Sequence, residues 1–164
     1  MAAMAAGDRP VVHPLDEMLC FNLNAVVRAT NRYYACLLAP WKLTYPQYLL
    51  LRLLWQRDTA TVGEIASELL LDSGTTSPLV RRLESRGFVE RQRSSDDERV
   101  VSVSLTSRGR ALEDDLAAIG SQVGSATGLE VEQAQAMLSS LRTMNTSLLT
   151  ALATRSDQGR STAG

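Results

Sequence analysis

Two cysteines, Cys20 and Cys36, and a single histidine, His13, are the soft nucleophiles and ligands of this chain. They form no CxxC, HExxH or histidine cluster, which leaves too few donors for a structural or catalytic metal site. No metal or other cofactor is expected. Two cysteines also fall short of a disulfide framework, and His13, standing alone, reads as a surface residue. A cysteine can instead act as a thiolate toward a peroxide, given a lowered pKa and an approach path. No lysine or histidine stands beside Cys20. Taken alone, it reads as a small core residue of a helix.

A second constellation is richer. Ser73, Thr75, Thr76 and Ser77 place four short hydroxyls at the start of one segment, and Arg81 and Arg82 follow. Hydroxyls can donate and accept close to a base edge, while arginines reach phosphates or a guanine edge. Arg91 and Arg93 follow on alternating residues and Arg99 six further on, where an arginine on a thin hairpin can enter an A·T-rich minor groove. From Asp72 to Arg110 there are eight arginines against six acidic residues, although the whole chain has a formal net charge of −1. Such a distribution permits local phosphate binding without a basic protein.

These residues need elements to hold them. Leu15, Leu19, Leu23, Val27, Tyr34 and Leu38 fall on a helical stripe, predicting a long first helix from Leu15 to about Ala39, stopped by Pro40. Thr44-Tyr45-Pro46-Gln47 opens a second helix, whose run from Leu49 to Trp55 should be central to the core. Thr61-Val62-Gly63-Glu64 is a capping box that starts a short third helix. Leu71-Asp72-Ser73-Gly74 predicts a turn with Asp72 or Ser73 as the cap. The next helix ends at Gly87, with Pro78 expected to kink it without breaking it. Alternation at Val89, Arg91 and Arg93, and again at Val101, Val103 and Leu105, predicts a β-hairpin with a polar tip from Ser94 to Glu98. Two further helices carry Leu112, Leu116, Ile119 and Val123, then Val131, Ala134, Leu138, Leu141, Leu148 and Leu152.

Short helix, tight turn, second helix and hairpin, in that order, form a winged helix-turn-helix. The expected fold class is mainly α with a small β-hairpin, flanked by N- and C-terminal dimerisation helices. About 45 residues of DNA reader, Thr61 to Leu105, cannot cover the outer apolar stripes, so a second copy should. Two recognition helices would then sit roughly 34 Å apart, suiting a near-palindromic operator in double-stranded DNA. The expected division is 1–14 flexible, 15–45 a sensor and dimerisation helix, 46–105 the DNA-binding domain, 106–154 dimerisation helices and 155–164 a flexible tail. Without a signal-peptide pattern or an apolar run of about 20 residues, a cytoplasmic location is expected.

Asp97-Glu98-Arg99 through Leu105-Thr106-Ser107-Arg108-Gly109 resembles the D-x-R…L-T-x-x-G wing signature of MarR-type regulators, adding Asp97 to the wing set. Leu19-Cys20-Phe21, Leu43-Thr44-Tyr45-Pro46-Gln47-Tyr48-Leu49 and Leu71-Asp72-Ser73-Gly74-Thr75 resemble its organic-hydroperoxide-sensing (OhrR-type) branch. The resemblance covers Leu15 to Gly109. It implies a repressor that leaves its operator when a cysteine of the first helix is oxidised by an organic hydroperoxide, and Cys20 holds that position. It implies as well that Tyr34 and Tyr45 bond the cysteine sulfur across the dimer. Apolar neighbours such as Phe21 and Trp55 would favour a greasy peroxide. This context outweighs the core reading of Cys20.

Cys36 lies 16 residues beyond Cys20, about 24 Å along a straight helix and ~160° around it. An intrachain disulfide is then excluded, since bridged Cα atoms lie within about 7 Å. A one-cysteine sensor is expected, passing from sulfenate to a mixed disulfide with a low-molecular-weight thiol or to overoxidation, with Cys36 structural or incidental. The competing readings are a MarR-type regulator released by a phenolic or apolar ligand, and a thiol-dependent peroxidase. The latter leaves the wing unexplained, so no enzyme is expected.

Overall fold

The computed structural model describes residues 15–93 and 100–161. Helix α1 runs from Leu19 to Leu38, later than the expected start at Leu15. Met18 has an extended backbone (φ −86°, ψ 110°), so no helical turn can pass through it. A turn closed by Met18 N–H to the Leu15 carbonyl precedes it. Pro40 does not follow a clean break. It sits inside a 3-10 turn, Ala39–Trp41, which ends at left-handed Lys42.

Helix α2, Tyr45–Arg57, starts where the Thr44 N–H donates to Gln47 Oε1 at 2.9 Å. Leu50, Leu51 and Leu54 are fully buried, and the core packs around this helix as the apolar run predicts. Strand β1, Thr59–Thr61, follows directly and runs into α3, Val62–Glu68. The capping box is present: Glu64 N–H donates to Thr61 Oγ1 at 3.1 Å, and Thr61 N–H to Glu64 Oε2 at 2.6 Å. Leu71 N–H returns to the Ala66 carbonyl, leaving Leu70 left-handed at φ 53°. The turn therefore lies at Leu69–Asp72, and Ser73 and Gly74 already belong to α4, Ser73–Ser85.

Helix α4 passes through Pro78 without interruption and closes on Gly87 at φ 70°. Strands β2, Val89–Arg93, and β3, Val101–Leu105, form the expected hairpin. The sheet has a third member that the sequence reading missed. β1 pairs with β3, giving an antiparallel order β1-β3-β2 with Ala60 opposite Val103 and Arg91 opposite Val103 on the other side.

Thr106 caps α5, Ser107–Leu116; then come α6, Ile119–Ala126, and α7, Val131–Ser161. The tail expected to be flexible from 155 is helical through Ser161. The chain divides into two compact units at Val123 and Gly124. Helices α1 and α5 fall in the same compact unit as the helix-turn-helix. The other unit contains α7. In the first unit Leu19 (63% exposed), Val26 and Val27 remain open on α1. In the second, Val131, Leu138, Leu148 and Leu152 are more than half exposed on α7. Among the described residues no helix is long and apolar enough to cross a membrane, and no group of potential metal ligands occurs.

Candidate nucleic-acid interface and the cysteine-bearing helix

Helix α4 presents the expected hydroxyls unequally. Asp72 caps it, its Oδ1 accepting from Thr75 N–H at 2.7 Å and its Oδ2 from the Thr75 hydroxyl at 2.9 Å. Both bonds hold the carboxyl below its ordinary range, the hydroxyl bond most strongly. Ser73 and Thr75 are exposed and Ser77 is half-buried. Thr76 corrects the sequence reading. It is fully buried, and its hydroxyl donates to the Asp72 carbonyl at 2.9 Å. The signal was available, since Thr76, Leu79, Val80 and Leu83 share one helical face and all four are buried.

The arginines divide in the same way. Arg81, Arg82 and Arg93 are exposed. Arg86 instead turns inward, donating to the Trp41 and Lys42 carbonyls at 2.5 and 2.8 Å, with its guanidinium 4.7 Å from the Phe88 ring centre. Arg108 lies 4.9 Å from the same ring centre. Arg91 is held by Glu84, whose Oε2 accepts from Nε at 2.8 Å and Nη2 at 2.7 Å. Asp97 and Arg99 lie outside the described residues.

Between α3, α4 and the wing lies a cleft of about 520 Å³. Among the described residues its cationic side chains are Arg81, Arg91 and Arg93, with Ser77 beside them and Glu84 as the one carboxylate of its lining. A groove with cations on two walls can take a phosphate backbone. Glu84 escaped the sequence reading, although its spacing of three from Arg81 places both on one face.

The wing signature has a physical basis at the foot of the hairpin. Thr106 Oγ1 donates to the Gly87 carbonyl at 2.7 Å and accepts from Gly109 N–H at 3.1 Å. A Cβ on Gly109 would stand 2.0 Å from the Phe88 carbonyl oxygen. Only glycine fits there.

On α1 both cysteines are exposed. Cys20 and Tyr34 stand 14 residues apart, about 21 Å along the helix yet within roughly 40° of one face. They cannot touch within one chain. Tyr34 does meet Tyr45: the rings stack at 4.1 Å between centroids, and Tyr48 lies 5.8 Å from Tyr34. Burial raises both Tyr34 and Tyr45 above the ordinary phenol value and Tyr48 adds to each, while the hydrogen bond from Tyr34 offsets part of the rise at Tyr45. Trp55 continues the aromatic series from Tyr48, edge-on at 6.4 Å, and its indole N–H donates to the Gly109 carbonyl at 3.0 Å. Trp55 therefore links α2 to α5. Phe21 is half-buried but stands apart from the aromatic and apolar cluster around Trp55, so these two do not meet as the walls of one pocket within the chain.

The profile of the MarR family matches residues 43–101. Over 147 residues the chain is 42% identical to the HTH-type transcriptional regulator TtmR of Methylorubrum extorquens (strain PA1), spanning 90% of this chain and 75% of that one. The chain belongs to the MarR family of DNA-binding transcriptional regulators. This MarR-family chain is also 45% identical over 100 residues to the organic hydroperoxide resistance transcriptional regulator of Bacillus subtilis (strain 168), covering 61% of this chain and 68% of its relative. Among solved structures it is similar to reduced AbfR bound to DNA, with a TM-score of 0.71, 29% identity and coverage of 82% and 94%. AbfR is also known in an overoxidised state on DNA and in a disulfide-formed state.

Proposed function

We propose that this MarR-family regulator binds a near-palindromic operator as a homodimer and releases it when an organic hydroperoxide oxidises Cys20. One observation carries the reading most. Tyr34 and Tyr45, the two residues the family resemblance assigns to the sensor cysteine, form one stacked pair. Cys20 shares a face of α1 with Tyr34 but lies about 21 Å away, so a second copy must supply the thiol. The exposed Leu19, Val26 and Val27 around it suit such a partner. Likeness to a hydroperoxide-resistance regulator points the same way.

In the reaction the Cys20 thiolate attacks the terminal peroxide oxygen and the O–O bond breaks. The sulfur is oxidised to sulfenic acid, and the peroxide is reduced to an alkoxide that takes a proton and leaves as the alcohol. Added oxygen at the sulfur would disturb the Tyr34–Tyr45 pair, and α2, which carries Tyr45, leads into the DNA-reading elements. On DNA, the exposed Ser73 and Thr75 and the half-buried Ser77 turn hydroxyls to base edges, Arg81 and Arg82 take edges or phosphates, and Arg93 reaches from the wing. The family resemblance adds Asp97 and Arg99 to the DNA-contacting set. The expected setting is the cytoplasm, and the expected resolving reagent is a low-molecular-weight thiol.

The test is a gel shift on duplex selected by the protein from a randomised pool, reduced or treated with cumene hydroperoxide. Wild type should release the duplex on oxidation, while Cys20→Ser should bind and stay bound. Release of Cys20→Ser by the peroxide, or retention of the oxidised wild type, would sink the redox reading.

A further inference from the structure

Ser77, Arg81 and Glu84 follow one another at spacings of four and three along α4, so they share one helical face. All three line the cleft together with Arg91 and Arg93 of the wing. A carboxylate on such a wall opposes any phosphate that enters, and needs a reason to be there. Its geometry supplies one. Glu84 Oε2 receives Arg91 Nε and Nη2 at 2.8 and 2.7 Å. That pair of N–H groups is the fork an arginine offers to a phosphate. Arg91 cannot give the same two hydrogens to Glu84 and to DNA.

We propose that Glu84 is a positioning residue that withholds Arg91 from sequence-independent phosphate contact and so sets the specificity of DNA binding. The inference rests on the reading that α4 and the wing face DNA. Each phosphate contact strengthens binding to any sequence and steepens its salt dependence by about 0.9. A free Arg91 would add one such contact everywhere. Tethered to Glu84, it braces the wing against α4 and leaves discrimination to the exposed hydroxyls and to Arg81 and Arg82. Their side chains are about one-third exposed (33% and 34%), and the pair is held by two N–H groups converging on one carboxylate oxygen.

The experiment measures binding of the full-length protein to a random-sequence duplex by fluorescence anisotropy between about 50 and 200 mM salt. Glu84→Gln should steepen the logarithmic salt slope by about one and tighten binding several-fold at low salt. Glu84→Ala should do the same, whereas steepening by one variant alone would refute the proposal. Arg91→Ala alone should keep the wild-type slope, and Glu84→Gln/Arg91→Ala should match Arg91→Ala. If Arg91→Ala flattens the slope by about one, Arg91 already sits on a phosphate and the proposal falls. If Glu84→Gln keeps its full effect in the Arg91→Ala background, the carboxylate merely repels DNA and the proposal falls too. On duplex selected by the wild type from a randomised pool, Glu84→Gln should gain less than on random duplex, lowering the ratio between them. An unchanged or higher ratio would overturn the specificity claim. Arg81→Ala with wild-type affinity for both duplexes would instead overturn the underlying DNA-face reading.

Discussion

Tyr34 and Tyr45 stack face to face, with ring centroids 4.1 Å apart and planes inclined by 29°, although one lies late in α1 and the other begins α2. The contact ties the cysteine-bearing helix to the helix at the centre of the core. Burial and neighbouring phenols keep both hydroxyls protonated beyond the ordinary tyrosine value of 10.0. They therefore remain hydrogen-bond donors at neutral pH, as a thiolate or sulfenate partner requires.

An alkaline titration should expose this pair. The chain has four tyrosines, and phenolate absorbance should show Tyr34 and Tyr45 ionising later than a free tyrosine. The folded chain holds these protons longer than the unfolded chain does. Their stabilisation is whole below about pH 10 and is lost as pH rises through the raised folded values. Tyr34→Phe should remove one late-titrating group and push Tyr45 higher still, because the Tyr45 phenolate loses the hydrogen bond from Tyr34 that favours it. A Tyr34→Phe titration curve that still contains two late groups would contradict the assignment.

Gly109 should be intolerant of even one methyl group. Its added Cβ would meet the Phe88 carbonyl oxygen at 2.0 Å, and that oxygen accepts from Thr106 N–H. Backbone cannot yield there as a flexible side chain could. Gly109→Ala should cost about 3 kcal/mol, the upper end of overpacking penalties, read as a lowered urea midpoint at constant slope. Gly63→Ala is the control, because its nearest contact is 4.0 Å away at Thr61 Oγ1. That change should be neutral or stabilise α3 by about 0.5 kcal/mol. Equal midpoints for both variants would refute the steric account.

Local chemistry explains what could be read in advance. The Thr61–Glu64 capping box, the Asp72 cap and the left-handed Gly87 are decided within three or four residues, and each lies where its pattern puts it. The wing's alternation was equally plain. Strand β1 was not, because three residues carry too little periodicity and their pairing is decided by β3, more than forty positions away. The inward turn of Arg86 onto Trp41 and Lys42 and the tether of Arg91 to Glu84 depend on distant partners, and a charged residue's sequence neighbourhood does not name its partner. Leu70 ends α3 in a left-handed conformation that glycine usually takes, so no helix-stop residue marked the true turn.

Thr76 separates a core role from a DNA-reading role. Its hydroxyl is buried and donates to the Asp72 carbonyl, which also accepts from Thr76 N–H at 3.0 Å. Thr76→Val keeps the shape and removes one hydrogen bond, so stability should fall by about 1 kcal/mol. Affinity for selected duplex should stay within about twofold of wild type. Ser77→Ala and Arg81→Ala should do the reverse, weakening DNA binding at wild-type stability, because their side chains line the open cleft. A DNA-binding loss in Thr76→Val at unchanged stability would return Thr76 to the reading face.

Oxidised protein should carry its modification on Cys20 without a bridge to Cys36. Helix α1 is unbroken from Leu19 to Leu38, so 16 residues separate the two thiols by about 24 Å and ~160° of rotation. A disulfide needs Cα atoms within about 7 Å, which the helix forbids unless it unwinds. Peroxide-treated protein should therefore run as a monomer on a non-reducing denaturing gel. A sulfenic-acid probe should label Cys20, and added small thiol should displace that label as a mixed disulfide of matching mass. Cys36→Ser should behave as wild type in each assay, and Cys20→Ser should take no label. A covalent dimer that vanishes in Cys36→Ser would overturn the one-cysteine mechanism, since it would require the exposed Cys36 of one copy to reach the oxidised sulfur of another.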